Sequence, residues 1–249
     1  MANSPTGDSV TDRLVRVLET FTPTRTVQTA AEIGRRAGLP SSTAHRVVGD
    51  LVAAGLLDRD GDGRVSVGLR LWALATRSSH ALRMRQAALP AMERVQARVR
   101  EHTQLAILEQ DEALFLERLS HPEAGANITR IAGRLPLHAA SSGLVLLAFA
   151  DRAVQERVLT RPLRRLTAAT PTDPATVRRT LAEVRRLGHV IAPGYVDVVS
   201  TGVAVPVRDA AGRATAALSV VLPREAPTAL ALEELRGAAR AVERALGAG

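Results

Sequence analysis

The chain has 249 residues, 46% apolar and 23% charged, a balance that suits a globular protein of two modest domains. It has no cysteine, which excludes disulfides and thiolate metal sites, and no apolar run reaches the roughly 18 residues of a membrane span. The formal charge of +8 comes from arginine alone and is spread along the chain, so it favours a nucleic-acid partner only weakly.

Met1 to Asp8 is polar and lacks the basic-then-apolar profile of a secretory signal, so the cytoplasm is the expected compartment. Val10, Leu14, Val17, Leu18 and Phe21 recur at helical spacing and predict a first helix ending near Thr22-Pro23. Thr29-Ala-Ala-Glu32 has the capping-box pattern of a second helix, which Gly38 is suited to end. A third helix follows, with Pro40 expected in its first turn. Ala44, Val47, Val48 and Leu51 make its buried face, leaving Ser41, Ser42, Thr43, His45 and Arg46 at its N-terminal end. Short donors with one imidazole and one guanidinium suit a helix that enters the major groove. The same layout would equally serve a capped surface helix whose polar residues are merely solvated.

Two short strand-like runs then flank Asp60-Gly61-Asp62-Gly63, a hairpin turn signal with Arg59 and Arg64 on either side. Three short helices followed by a tight hairpin is the winged-helix order. The stretch from Leu39 to Gly68, and above all Ser42-Thr-Ala-His-Arg46, resembles the IclR family of bacterial transcription regulators. That family often carries a basic residue at the position of Ser41. The resemblance makes residues 9–68 a winged helix-turn-helix, with DNA contacts from Ser41, Ser42, Thr43, His45, Arg46, Arg59 and Arg64. Leu69, Leu71, Trp72, Leu74, Ala75 and Leu82 continue a helical pattern, which the resemblance makes a linker helix, 69–83, that contributes to dimerisation. Trp72, the sole tryptophan, is expected to be ordinary core.

Beyond it, a helix is predicted over Arg85–Arg100, with strands over Gln104–Glu109 and Ala113–Leu119. An apolar helix from Leu144 to Ala150, helices over Asp151–Leu159 and Pro174–Leu187, and strands over His189–Ala192, Gly202–Arg208 and Arg213–Leu222 follow. A helix from Leu230 to Leu246 closes the chain. Consecutive strands interrupted by helices indicate an α+β domain, 84–249, with a mainly antiparallel sheet.

Pro136-Leu-His-Ala, Ala204-Val-Pro-Val-Arg-Asp and Ala216-Ala-Leu-Ser219 extend the resemblance through this domain, where the family has a GAF-like effector-binding and oligomerisation fold. By position it implies effector contacts from the amides of Ser141, Ser142 and Gly143, from Ser219, and from Gly202 and Val221. Val203, Val205 and Val221 are candidate apolar walls, although alternation does not settle which faces of these strands turn inward. A Ser141 that merely caps the helix accounts for that stretch as well. Gly202 stands where the family often has Cys or Ser, Val221 where some members have a second serine, and Leu144 where Lys is frequent. Tyr195 and Val199 replace acids and a glycine. A pocket so depleted of polar partners suits an aromatic or apolar effector, carboxylate-bearing or not, better than a small oxo-acid.

None of the six histidines forms a His-x-x-x-His or His-Glu-x-x-His pair, and neither a Gly-x-Ser-x-Gly elbow nor a phosphate-cradling glycine loop is present. No cofactor, metal or catalytic residue is expected. The chain therefore reads as a sequence-specific DNA-binding regulator with a small-molecule effector, acting on a double-stranded operator as a homodimer or homotetramer. An architectural DNA-binding protein without ligand, or an enzyme acting on a small metabolite, are the alternatives.

Overall fold

A computed structural model describes residues 8–22, 24–77, 80–125 and 128–247. The chain divides into two compact units, Met1–Ser79 and His80–Gly249.

In the first unit, helix α1 (Val10–Glu19) opens on a capping box between Ser9 and Asp12. Strand β1 (Val27–Thr29) runs directly into α2 (Ala30–Ala37), where the expected second box is closed. The Glu32 amide donates to Thr29 Oγ1 at 3.3 Å, and the Thr29 amide donates to the Glu32 carboxylate at 2.8 Å. Gly38 ends α2 in the left-handed region, at φ 63°. Helix α3 (Ser41–Ala53) starts one residue later than expected, because Pro40 is its N-cap and not part of its first turn. Strands β2 (Leu57–Arg59) and β3 (Arg64–Val67) form the hairpin, and β1 adds to β3, giving the antiparallel order β1-β3-β2. Val17, Ile33, Val47, Val48, Leu51, Leu57 and Val65 close the core. Full burial of each such side chain contributes roughly 1.5–3 kcal/mol.

Helix α4 (Leu69–Arg77) corrects one expectation. Trp72 is 66% exposed and Leu69 78% exposed, so Trp72 is not core. The helical stripe is present, but the core of this unit closes without it.

The second unit begins with α5 (His80–Val99), β4 (His102–Glu109), β5 (Glu112–Leu119) and β6 (Arg134–Pro136). Three helices follow, α6 (Ser141–Phe149), α7 (Arg152–Leu159) and α8 (Pro174–Leu187). Strands β7 (Val190–Pro193), β8 (Ser200–Arg208) and β9 (Ala214–Pro223) and helix α9 (Ala229–Ala245) complete it. The six strands pair antiparallel in the order β6-β5-β4-β9-β8-β7. Helices α5 and α9 cover one face, over Leu105, Val203, Val205, Leu218 and Val220. Helices α6 and α8 cover the other, over Ala106, Phe115, Ala204 and Ala217. This is the α+β fold with an antiparallel sheet that the sequence pattern indicates. Val203 and Val205 lie in the α5/α9 core, opposite Ala204, so neither belongs to a pocket under α6. Helix α6 also begins three residues before Leu144, and all of it except Phe149 is buried. Among the described residues no helix is long and apolar enough to cross a membrane.

Each unit has its own closed core, so residues 80–249 expressed alone should fold. Circular dichroism and a cooperative urea transition test this, and a fragment without either would show that its core depends on the first unit.

Candidate nucleic-acid interface and ligand pocket

Helix α3 presents Ser41, Ser42, His45 and Arg46 to solvent and Thr43 half-buried, while Ala44, Val47, Val48 and Leu51 anchor it. No acidic residue occupies its first turn and no side chain caps it. Its leading N–H groups and positive dipole end are therefore left for an anion such as a phosphate. Arg46 Nη1 lies 3.6 Å from Asp50 Oδ2, an exposed pair one turn apart that holds the guanidinium only loosely. Arg59 and Arg64 are exposed on the hairpin. The Asp60 carboxylate between them is engaged within the turn, accepting from the amides of Asp62 at 3.1 Å and Arg64 at 2.8 Å. The acid shapes the turn and leaves the two arginines at its base.

The second unit contains a cavity of about 480 Å³ of space between atoms, its open mouth included. Gln104, Phe115, Gly202 and Val221 form its floor on the sheet, and Ala139 to Ser142 bring in the start of α6. Ile128, Thr129 and Leu135 wall one side, and Ala192, Tyr195, Val196, Asp197 and Ser200 the other. Asp197 is the one charged side chain among these lining residues.

Four of the six expected effector positions, Ser141, Ser142, Gly202 and Val221, meet at this cavity. Gly143 and Ser219 do not line it. A Cβ at Gly143 would lie 2.7 Å from Leu137 Cα and O, so this residue seats α6 on the preceding loop. Ser219 is fully buried, and its hydroxyl donates to Gln104 Oε1 at 3.3 Å. Ser141 does not cap the helix either. Ala140 is the N-cap, with no side-chain bond, and Ser141 is the first helical residue. The leading amides of α6 are thus uncapped by any side chain beside a buried cavity.

Tyr195, singled out in the sequence as a departure in the pocket stretch, lines the cavity, whereas Gln104, Phe115, Thr129 and Ser200 carry no expectation from the sequence. Gln104 adjoins the apolar run Leu105–Leu108 of β4, and the structure buries it to 2% exposure. The Tyr195 wall is held from the segment between α7 and α8. Thr170 Oγ1 donates to the Tyr195 carbonyl and Thr167 Oγ1 to that of Gly194, each at 2.6 Å.

A groove-type helix beside a hairpin that exposes two arginines in one unit, and a cavity under a helix N-terminus in the other, define an effector-controlled, DNA-binding transcription regulator. The IclR helix-turn-helix domain matches residues 10–61, and the bacterial transcriptional regulator IclR C-terminal domain matches residues 76–247. The chain belongs to the IclR family. It is similar to the HTH-type transcriptional regulator XynR of Escherichia coli (strain K12), 28% identical over 95% of this chain and 96% of that one. It is also similar to the HTH-type transcriptional repressor AllR of the same organism, 26% identical over 97% of this chain and 91% of that one. Among solved structures, an IclR homolog from Microbacterium hydrocarbonoxydans, complexed with 4-hydroxybenzoate, is 58% identical with a TM-score of 0.92. That match covers 97% of this chain and all of the other.

His138, in the loop before α6, is 3% exposed, and its Nε2–H donates to the Arg164 carbonyl at 2.9 Å. Burial holds its pKa below the ordinary 6.5, and the hydrogen bond offsets this only in part. With the folded-state value depressed, the unfolded chain binds more protons as pH falls through its own value. The contribution of this neutral imidazole is therefore whole above about pH 6.5 and lost below it. Urea unfolding at about pH 7.5 and about pH 5.5 should show a smaller acid-induced loss in His138→Gln than in wild type. Equal losses would remove His138 as the source.

Proposed function

We propose that this chain is a homodimeric, operator-binding regulator of the cytoplasm whose hold on DNA is set by a small aromatic carboxylate. Residues 9–68 read the operator through Ser41, Ser42, Thr43, His45 and Arg46 of α3, with Arg59 and Arg64 on flanking phosphates. Residues 69–83 link this domain to the effector-binding residues 84–249. The exposed Leu69, Trp72 and Leu74 support a second copy covering α4. The chain acts by binding and has no catalytic role.

The observation that carries the effector class is the uncapped N-terminus of α6 beside an otherwise largely apolar cavity. Backbone N–H groups and the positive dipole end accept a carboxylate, while Phe115, Leu135 and Val221 accept a ring. A small oxo-acid would leave that apolar surface uncovered. The 4-hydroxybenzoate complex of the Microbacterium homolog supports the same class of ligand.

Two measurements test the two halves of this reading. On an operator recovered by in vitro selection, Arg46→Ala should cost about 1–3 kcal/mol of affinity and relax the preferred sequence. Arg64→Ala should instead weaken all duplexes alike and lower the salt slope by about one. Unchanged gel shifts in both variants would discard this assignment of contacts. For the pocket, 4-hydroxybenzoate should raise the unfolding temperature of the wild type. Val221→Trp, which fills the cavity, should weaken its binding by about 10-fold or more, or about 1.4 kcal/mol. Wild-type affinity in that variant would place the effector elsewhere.

A further inference from the structure

Gln104 is a buried polar side chain at the cavity floor, 2% exposed, between Thr103 and Leu105 on β4. A buried amide costs free energy unless its donors and acceptors are matched. Its Oε1 accepts from Ser219 Oγ at 3.3 Å, and its Nε2 donates to Thr129 Oγ1 at 2.5 Å. An amide carries two N–H donors and two acceptor lone pairs, so each end retains one capacity beyond these bonds. Both partners are hydroxyls, which donate or accept equally well, so either orientation of the amide keeps both contacts. Thr129 is itself fixed, its carbonyl accepting from Arg118 Nη1 at 2.6 Å. The amide is thus held on two sides and can still offer a donor or an acceptor to the cavity it lines.

Its place relative to α6 follows from the sheet register. Gln104, Ser219 and Ala204 form one row across β4, β9 and β8, and Val221 and Gly202 belong to the neighbouring row on the same face. Gly202 lies under Ser141, the first residue of α6. Gln104 is therefore two strands away from the helix start, about 10 Å at the usual strand spacing. A benzene ring with a substituent para to its carboxylate spans that gap.

We propose that Gln104 selects the effector by its ring substituent, recognising a hydroxyl or similar hydrogen-bonding group at the end opposite the carboxylate. Ser219 is a positioning residue that holds the amide in place and does not touch the ligand. This inference rests on the aromatic-carboxylate reading above and adds the feature that distinguishes one such acid from another.

Calorimetry with 4-hydroxybenzoate and 4-methylbenzoate, which differ by hydroxyl against methyl at nearly equal size, tests it on the full chain. The wild type should bind the hydroxy acid about 5-fold or more tightly, the discrimination of one neutral hydrogen bond. Gln104→Leu should reduce that ratio to within about 2-fold. Ser219→Ala should bring the ratio part of the way down, a change that a purely structural serine would not produce. If Gln104→Leu does not fold, Gln104→Met, of similar shape, takes its place. An unchanged ratio in the folded variant overturns the proposal, as does a wild type that binds both acids equally. A wild type that binds neither acid overturns the aromatic-carboxylate reading and this inference with it.

Discussion

Helix α6 has no polar face: Ser141 to Ala148 are all buried, so it must meet neighbours on every side. Room for it exists only where side chains are missing. A Cβ at Gly143 would lie 2.7 Å from the backbone of Leu137, and one at Gly202 would lie 2.6 Å from Ser141 Oγ. Backbone and a short serine cannot retreat as a flexible side chain would, and forcing extra atoms into a packed core typically costs about 1–3 kcal/mol. These two glycines therefore fix both the height of α6 above the sheet and its position along β8. That seating decides that the helix opens on a cavity. It also requires glycine at position 202, because the Ser141 hydroxyl fills the space a side chain would need.

The walls around that helix start are held largely by neutral hydrogen bonds, with Arg118 on the Thr129 carbonyl the charged exception. Thr167 and Thr170 hold the carbonyls of Gly194 and Tyr195, His138 holds that of Arg164, and Gln104 is bonded to both Ser219 and Thr129. Each neutral hydrogen bond contributes only about 0.5–1.5 kcal/mol net. Leaving any of these buried groups unpaired would cost more, so the network specifies one arrangement even where it adds little stability. The consequence for binding is direct. With Asp197 the one charged lining residue, an anion meets no paired arginine in the cavity, and its favourable partners are backbone amides and a helix dipole.

Local chemistry was legible in the sequence wherever a short motif determines a conformation. The Thr29–Glu32 box, the left-handed Gly38 and the Asp173 cap of α8 all form as their residues dictate. The Asp60 and Asp209 turns close by the same device, an aspartate carboxylate accepting from the amides two and four residues on. Strands β1 and β6, of three residues each, offer too little alternation to be seen. Trp72 was misread because periodicity reports an apolar face and not what covers it. The face taken by Val203 and Val205 is not legible in the sequence, because both faces of this sheet are buried and alternation between them leaves no polar residue as a marker. Ser219 is on the pocket face, but it is fully buried beside its cross-strand partner Gln104 and does not reach the cavity. Depth of that kind depends on side-chain length on the neighbouring strand, which a position in one strand does not encode.

Strand β5 shows how one element serves both faces. Leu105 of β4 pairs with Glu117 and the next residue, Ala106, with Phe115, so Leu116 is a bulge. Without it, Phe115 and Glu117 would point to the same side of the sheet. With it, Phe115 lines the cavity while Glu117, 3% exposed, turns to the α5 side and pairs with Arg85 at 2.5 Å. A carboxylate so enclosed is tolerable only because its partner is present, since removing one member of a buried pair leaves an uncompensated charge. The next residue returns to the first face, where Arg118 Nη1 holds the Thr129 carbonyl beside Gln104. Bulges recur beside binding sites because one extra residue re-aims every side chain that follows. Here that single insertion puts an aromatic contact in the pocket and an ion pair on the helix behind it, three residues of one strand joining the effector floor to α5.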